Sequence, residues 1–205
     1  MAARDASRPL QVELGRLRDD VRNLRDELSA LRASVHALAA LQDILPRMTP
    51  GMDVVPLLDD LLASALAVVG ATDGSLMLLD EDTGELVLAV VRGIGRERLT
   101  GFRLPAGQGI ASWVAKNRTA QLVRDVQKDP RFYPTVDETF GFQTRMLAAV
   151  PLLDGDRVLG VIEAINKTSD REFTAEDHDL LLVVAVLASV AIRRAEALAE
   201  DTPAV

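Results

Sequence analysis

One acid interrupts an otherwise apolar stretch of the chain and is the residue best suited to ligand chemistry. Glu163 lies within RVLGVIEAIN (157–166), which has the composition of a strand. A carboxylate in that position can accept hydrogen bonds from a ligand amide or from the edge of a heterocyclic base. It can equally lie on a solvated face or pair with Arg145 on the adjoining strand. Glu163 is therefore a candidate ligand contact with a structural alternative.

Aromatic side chains are scarce, at 3% of the chain, and most of them fall in or near a long predicted loop over residues 127–143. A loop of this length inside a compact domain is usually functional. Its aromatic residues either contribute to a ligand pocket or pin the loop onto the sheet. Together with neighbouring positions they form a candidate ligand-binding set: Ser75, Met77, Arg92, Phe102, Ile110, Asp125, Phe132, Tyr133, Phe142, Thr144, Met146, Ala148 and Glu163.

Several classes of reaction lack the residues that they require. The chain has no cysteine and two histidines, which excludes cysteine nucleophiles, thiolate metal sites and multi-histidine metal sites. Gly107-Gln108-Gly109 lacks the lysine and the spacing of a phosphate-binding loop. The acids of DEDTGE (80–85) miss the EF-hand spacing, which favours a solvated turn over a calcium site. We therefore expect no catalytic residue, no metal and no resident cofactor.

Charge and hydropathy bear on partners and location. The formal net charge of −8 opposes nucleic acid or an anionic membrane as a main partner, because both need clustered positive charge. The longest apolar run, residues 180–192, is 13 residues long, whereas a membrane span needs about 20. The N-terminal residues MAARDASRPL show no apolar signal segment. These features predict a cytoplasmic protein with neither a nucleic-acid nor a membrane partner.

Hydrophobic periodicity and turn signals predict the elements that position these residues. Asp53 is a plausible N-cap for a helix that ends at Gly70, and Thr174 caps a long C-terminal helix. Pro151 within a strand indicates an edge position or a bulge. We predict helices over residues 53–69, 109–117 and 175–199, strands over 102–105 and 120–126, and hairpins over 75–80 with 85–91 and 145–153 with 157–166. This order indicates an α+β domain with a mostly antiparallel sheet and helices packed on it.

The first 45 residues carry an apolar heptad repeat. Leucine and valine alternate spacings of three and four residues, which is typical of a coiled coil. Acids occupy the g positions and arginines the e positions, so a parallel pair sets opposite charges against each other and an antiparallel pair sets like charges together. The acids are Glu13, Asp20 and Glu27, and the arginines are Arg18, Arg25 and Arg32. The predicted dimerisation seam consists of Leu10, Leu14, Leu17, Val21, Leu24, Leu28, Leu31, Val35 and Leu38.

These signals divide the chain into four parts. We expect a parallel dimeric coiled coil over residues 8–45 and a hinge over 46–51, where two prolines and a glycine oppose helix continuation. A globular domain over 52–199 and a loose tail over 200–205 follow. The chain is therefore expected to act as a homodimer.

Residues 129–167 resemble the most characteristic part of GAF domains, the sensory modules of cyclic-nucleotide phosphodiesterases, adenylyl cyclases, histidine kinases and many bacterial regulators. The matching sequence is DPRFYPTVDETFGFQTRMLAAVPLLDGDRVLGVIEAINK. LLDEDTGEL and LPAGQGIASWVAKN, earlier in the chain, extend the resemblance to about residues 52–198. The resemblance implies the GAF fold, a GAF-like mostly antiparallel sheet with a pocket for a small ligand.

A shorter signature within this region bears on the ligand. Asn166-Lys167, Phe173 and Asp177 resemble the signature of the cyclic-nucleotide-binding members, in which a glutamate follows the aspartate, but His178 stands at that position here. The resemblance implies a Lys167–Asp177 ion pair that closes one wall of the pocket, and a purely structural tie between strand and helix is the alternative. A cyclic nucleotide or another small molecule is a possible ligand.

These expectations combine into two hypotheses. The first is a non-catalytic dimeric sensory protein that binds a small ligand, a protein partner or both. The given sequence stops soon after the last helix, so the first hypothesis expects it to signal in trans to a signalling or scaffold protein. The second is a ligand-free scaffold that serves only dimerisation and assembly. Free-methionine-sulfoxide reductases, the enzymatic GAF proteins, need cysteines, so the resemblance implies no reductase activity here.

Overall fold

A six-stranded antiparallel sheet in the order β3-β2-β1-β6-β5-β4 lies at the centre of the computed structural model. The structure describes residues 52–169 and 171–200, together with scattered positions between 13 and 49. The strands are β1 Ala71–Leu79, β2 Leu86–Arg92, β3 Arg103–Leu104, β4 Gln121–Val123, β5 Leu147–Asp154 and β6 Arg157–Lys167. The helices are α1 Val55–Val69, α2 Arg96–Leu99, α3 Gly109–Asn117, α4 Thr135–Phe140 and α5 Ala175–Glu200, with a 3₁₀ turn at Val126–Lys128.

Helices α1 and α5 cover one face of the sheet and form its larger core. Leucines of α1 and alternate residues of the central strands are fully buried there, among them Leu58, Leu62, Leu76 and Ile162. A reciprocal cap fixes the start of α5, because the Thr174 amide donates to Asp177 Oδ2 at 2.7 Å and the Asp177 amide donates to Thr174 Oγ1 at 3.3 Å. We call this side the helical face.

The opposite face is covered by α3 and by the segment between β4 and β5. Strand alternation sends Met77, Ala149 and Val161 to this side, where they meet Val114 of α3 and Val126 of the 3₁₀ turn. The cover is assembled from short elements, and we call this side the cavity face.

One glycine is required where two central strands approach closely. A Cβ atom on Gly160 would lie 1.9 Å from the carbonyl oxygen of Met77 on the paired strand β1. A bulge between Leu76 and Met77 in the β1–β2 register lies at the same point of the sheet. Glycine at position 160 of strand β6, RVLGVIEAINK, is therefore a packing requirement.

Most predicted elements are present with shifted ends. Helix α3 spans the predicted residues 109–117. The N-cap of α1 is Val54 and not the predicted Asp53, although Asp53 accepts a hydrogen bond from the Val55 amide at 2.9 Å. Pro151 lies beyond the Leu147–Ala149 stretch that pairs with β4, so this side of β5 is unpaired there, as predicted for an edge position. Pro151 itself pairs with Val161, and the register shift lies further on, between Leu152 and Leu153.

Two predictions about the β4–β5 region were wrong. The strand predicted over 120–126 ends at Val123, because the chain then turns into the 3₁₀ helix. The predicted loop over 127–143 contains helix α4, whose six residues are too few to show helical periodicity.

The N-terminal repeat is described only at scattered positions. Residues 13–18, 20, 21, 24, 31 and 35 are helical, and their apolar side chains are 46–63% exposed in the single chain. The remaining positions of the predicted coiled coil, most of the predicted hinge and residues 201–205 of the predicted tail lie outside the described residues. The tail was predicted to begin at residue 200, but Glu200 is the last residue of α5. Within the described part of the chain, no helix combines the length and the apolar character needed to cross a membrane.

Candidate functional site

A cavity of about 110 Å³ lies on the cavity face, between the sheet, α3 and the segment that contains α4. Strands β1, β2 and β6 form its floor, and the start of α3 with Phe132 to Thr144 forms its cover. Nine members of the predicted binding set line it: Ser75, Met77, Arg92, Ile110, Phe132, Tyr133, Phe142, Thr144 and Glu163. Its walls are mostly apolar, with few polar groups, as is usual for small-molecule sites.

Glu163 lies in the floor of this cavity, because strand alternation turns it to the side opposite Ile162. Burial raises its pKa to about 7, and a hydrogen bond from the Ser75 hydroxyl opposes part of that rise. Ser75 is its cross-strand neighbour on β1, and Ala149 is its neighbour on β5. No ion pair of Glu163 occurs among the described residues, so the alternative in which it pairs with Arg145 is wrong. Arg145 is exposed.

The other two acids of the cavity are occupied by internal hydrogen bonds. Asp137 of α4 accepts from the amide and the hydroxyl of Thr144, both at 2.7 Å, and from Gln127 Nε2 at 3.3 Å. Asp73 of β1 accepts from the Ile94 amide at 2.9 Å and from the Thr72 hydroxyl at 2.8 Å. These carboxylates hold the cover and the β2–α2 turn in place, which distinguishes them from Glu163.

Arg92 lies at the rim of the cavity, but its guanidinium binds the helical side of the sheet. Its Nε and one terminal nitrogen each donate to the Asp59 carboxylate of α1 at 2.8 Å, and Arg96 adds a contact of 3.3 Å. This bidentate geometry is the strong form of an arginine–carboxylate pair. The end of β2 at the cavity rim is thereby tied directly to α1.

Aromatic residues and a helix terminus shape the cover. Phe132, Tyr133 and Phe142 face the cavity, while Phe140 packs edge-to-face on Phe102 with ring centroids 5.7 Å apart. Helix α3 begins at the cavity, with neither a side-chain cap nor an acid in its first turn. Its free N–H groups are equivalent to about half a positive charge.

Four predicted ligand contacts do not line the cavity. Phe102 packs beneath Phe140, and Asp125 is an exposed partner of Lys128 with a contact of 2.6 Å. Ala148 points to the helical face because its neighbours Leu147 and Ala149 alternate to the cavity face. Met146 also packs against the helical-face core, so the sequence set was too broad on β5.

The Lys167–Asp177 contact is confirmed, with Lys167 Nζ 2.5 Å from Asp177 Oδ2 and both side chains at most 13% exposed. It does not close the cavity, because neither residue lines it. Asn166 has φ of 53° and breaks the strand alternation, so Lys167 turns to the helical face and lies 5.6 Å from the Phe173 ring. The alternative, a structural tie between β6 and α5, therefore describes this pair.

The asparagine of the same signature anchors the cover. Asn166 Oδ1 accepts from the Arg145 amide at 2.8 Å, and its Nδ2 donates to the Gln143 carbonyl at 2.8 Å. These bonds fix the point at which the cover segment enters β5.

Sequence reasoning missed several cavity residues, chiefly Asp73, Gly109, Val136 and Asp137. Asp73 lies in Ala-Thr-Asp-Gly-Ser, a composition typical of a turn, although β1 already begins at Ala71. Val136 and Asp137 belong to the unpredicted helix α4. No local pattern could have identified them.

The acids of the first hairpin turn bind arginine. Arg103 of β3 donates to the carboxylates of Asp80 and Glu85, which lowers the pKa of Asp80. In the described part of the chain no cluster of three or more candidate metal ligands occurs. The turn is thus a charged structural element of the β2–β3 edge.

Comparisons with known proteins define the class of this domain. The family model of the GAF domain matches residues 53–192, and the chain belongs to this family of sensory and regulatory modules, many of which bind small ligands.

Curated relatives include phosphodiesterases. The cone cGMP-specific 3',5'-cyclic phosphodiesterase subunit alpha' of Mus musculus is 38% identical over 89 residues, which are 43% of this chain and 10% of that protein. The dual 3',5'-cyclic-AMP and -GMP phosphodiesterase 11A of Takifugu rubripes is 32% identical over 96 residues, 46% of this chain and 11% of that protein. The chain therefore matches about a tenth of the length of these relatives.

Solved structures show the same fold. The GAF domain of a phosphoenolpyruvate-protein phosphotransferase from Coxiella burnetii has a TM-score of 0.67 at 18% identity, covering 81% of this chain and 96% of that chain. Free methionine-R-sulfoxide reductase from Neisseria meningitidis, solved with its substrate, has a TM-score of 0.60 at 24% identity, covering 82% and 92%.

Proposed function

We propose that this chain is a non-catalytic sensory module that binds a small organic molecule in the cavity of its GAF domain and transmits the bound state to a protein partner. The observation that carries the proposal is Glu163, a carboxylate in an apolar cavity without an ion-pair partner among the described residues. Placing such a group there costs free energy in the empty state. Groups with this kind of perturbed environment cluster at functional sites, which favours a sensor over a scaffold.

The Arg92–Asp59 pair offers a route from the cavity to the helices. Arg92 ends β2 at the cavity rim, and Asp59 lies on α1, which follows the N-terminal heptad segment in the chain. A ligand that displaces the end of β2 would move Arg92 and thereby alter its ion pair with Asp59 of α1. Such a ligand shifts the protein only by as much as its affinities for the two states differ.

We further propose that the protein acts as a parallel homodimer through the N-terminal heptads. The alternation of acids at g and arginines at e supports a second copy of this chain as the partner of the seam. The described seam residues are about half exposed in the single chain, so pairing would bury them. In a parallel dimer the two copies of the seam lie side by side, and we propose the seam and α5 as the docking surfaces for a partner in trans.

Native mass spectrometry of freshly purified protein tests ligand binding most broadly. We expect a co-purified small molecule, or one taken up from a metabolite library that includes the cyclic nucleotides on which the phosphodiesterase relatives act. Denaturation should release the bound mass. A bare polypeptide mass after exposure to the whole library would favour the scaffold instead.

Disulfide cross-linking tests the dimer, and because the chain has no native cysteine, only the introduced thiols can form a disulfide. A Leu17→Cys variant places a thiol in the seam, whereas Arg16→Cys places it on the outer face of the same helical turn. We expect rapid disulfide formation for the first and slow formation for the second. A monomeric mass by light scattering, or equal rates for the two variants, would refute the parallel dimer.

A further inference from the structure

We infer that the ligand of this cavity has a protonated amine or amidinium head, bound by the Glu163 carboxylate, and an apolar or aromatic body. This inference rests on the proposed ligand-binding function and narrows the class of ligand. It follows from an inventory of the charges that line the cavity, from their existing partners, and from the character of the remaining walls.

Four ionisable groups other than Tyr133 line the cavity among the described residues: Asp73, Arg92, Asp137 and Glu163. The one cation of this set, Arg92, is held by Asp59 on the opposite side of the sheet through two hydrogen bonds of 2.8 Å. An anionic ligand would have to break that bidentate pair to reach a side-chain cation. The lining charges therefore favour a cationic ligand group.

The three acids differ in what they can still bind. Asp137 and Asp73 already accept hydrogen bonds from fixed donors within the fold. Glu163 has the Ser75 hydroxyl as its hydrogen-bonding neighbour and retains lone pairs for a ligand. An ammonium or amidinium group supplies both the missing donors and the missing positive charge.

The remaining walls fit the body of such a ligand. Phe132, Tyr133 and Phe142 face the same space as Glu163, and aromatic faces attract cations as well as apolar groups. The volume of about 110 Å³ is smaller than the cavity of about 150 Å³ that encloses benzene, so a single ring with its amine head would fill it and extend to its opening.

The N-terminus of α3 favours an anionic ligand group, but its partial positive charge is smaller than the negative charge of an ionised Glu163. A helix N-terminus is equivalent to about half a positive charge, whereas an ionised carboxylate carries a full negative one. With its pKa raised to about 7, Glu163 is partly protonated at neutral pH. A cation that binds there would lower that pKa and release a proton, while an anion would retain the proton.

Three probes of matched shape test the charge preference: benzylamine, benzyl alcohol and benzoate, each titrated into the full chain at pH 8 by calorimetry. We expect benzylamine to bind about tenfold or more tightly than either analogue, because a charge-assisted hydrogen bond in a buried site is worth at least that factor. Equal or tighter binding of benzoate would overturn the inference.

Two carboxylate variants locate the effect. Glu163→Gln keeps the shape and removes the charge, and should reduce benzylamine affinity about tenfold. Asp125→Asn removes an exposed charge outside the cavity. Because exposed charges contribute little, this variant should change the benzylamine affinity by less than about twofold. Unchanged affinity in Glu163→Gln would refute the role of Glu163. If library compounds bind but benzylamine binds no more tightly than its two analogues, the inferred ligand class is wrong and the proposed ligand-binding function stands. If no compound binds, both the ligand class and the ligand-binding function are wrong.

Discussion

On the helical face of the sheet, aliphatic side chains fill the space beneath α1 and α5, whereas on the cavity face the same strands border an open volume of about 110 Å³. The helical face is covered by two long helices of 15 and 26 residues. The cavity face is covered by a helix of 9 residues, one of 6 and their connections. Alternate residues of a single strand thus serve two different purposes, as Ile162 and Glu163 do on β6.

This difference indicates how the domain separates stability from binding. Close packing over a wide apolar area stabilises the helical face. The cavity face retains an unfilled volume and an acid in apolar surroundings, both of which cost stability. Proteins accept such costs at functional sites, and the predictions below test whether this separation is real.

The largest expected effect comes from removing core volume on the helical face. Leu62→Ala should lower the free energy of unfolding by about 4 kcal/mol, because Leu62 is fully buried in filled surroundings. Leu88 lines the cavity, and part of its surface already faces empty space. Leu88→Ala should therefore lower the free energy of unfolding by at least about 1 kcal/mol less than Leu62→Ala does. Urea unfolding of both variants measures the difference. Equal losses would show that the two faces are packed alike.

Breaking the ion pair of the signature should affect stability and leave the cavity unchanged. Lys167→Met leaves the buried Asp177 carboxylate without its cation and should cost about 3 kcal/mol. The double variant Lys167→Met/Asp177→Leu should lose less, although it also removes the cap on the Thr174 amide. Benzylamine affinity should stay within about twofold in both variants. A tenfold loss of affinity would place the pair in the binding site.

Glu163, the acid in the floor of the cavity, predicts how stability depends on pH. The pKa of Glu163 is raised from 4.5 to about 7 by folding, so the native state keeps a proton that the unfolded state loses. The contribution of Glu163 to stability is therefore full below about pH 4.5 and falls as the pH rises through 7.

The glutamine of Glu163→Gln does not titrate, so this variant lacks the loss of stability that the unmodified protein shows as the pH rises. The free energy of unfolding of the variant minus that of the unmodified protein should therefore increase by about 1–3 kcal/mol between pH 4.5 and pH 8. Urea unfolding at both pH values gives this difference, with Asp125→Asn as the control that should show little of it. If this difference in the free energy of unfolding does not change with pH, folding does not raise the pKa of Glu163, and its carboxylate is as well hydrated as in the unfolded chain.

The smallest effect concerns the anchoring of the cover. Arg98 of α2 lies 5.2 Å from the Phe140 ring centroid, and Arg98→Ala should cost about 0.5–1 kcal/mol through loss of this cation–π contact. A double-mutant cycle with Phe140→Leu isolates the pair. A coupling energy near zero would mean that Arg98 does not stabilise α4 through the Phe140 ring and that the Phe102 contact and the Asp137 hydrogen bonds hold it.

Regular segments of the fold could be predicted from sequence because each carries a complete local pattern. Helix α3 and the last hairpin follow directly from the entry glycine, the apolar spacing and Asp154-Gly155. The same strand patterns placed Glu163, Ser75 and Met77 at the cavity. Most of the helical face is of this kind.

The remainder depends on non-local or short-range geometry that no pattern encodes. The positive φ of Asn166 reverses the direction of Lys167, and alternation alone would have placed that side chain at the cavity. Helix α4 is six residues long, and Asp137 is recognisable as part of the cavity only once Thr144 folds back onto it. The cavity face was therefore harder to predict than the helical face.

A thermal-shift screen of a metabolite library against three forms of the protein tests the central claim most directly. Ala111→Leu adds bulk inside the cavity, whereas Ala67→Leu adds it on the exposed surface of α1. The account predicts that at least one compound raises the Tm of the native chain and of Ala67→Leu, and that Ala111→Leu loses this shift. A library that stabilises none of the three forms, or a shift that survives in Ala111→Leu, would contradict it.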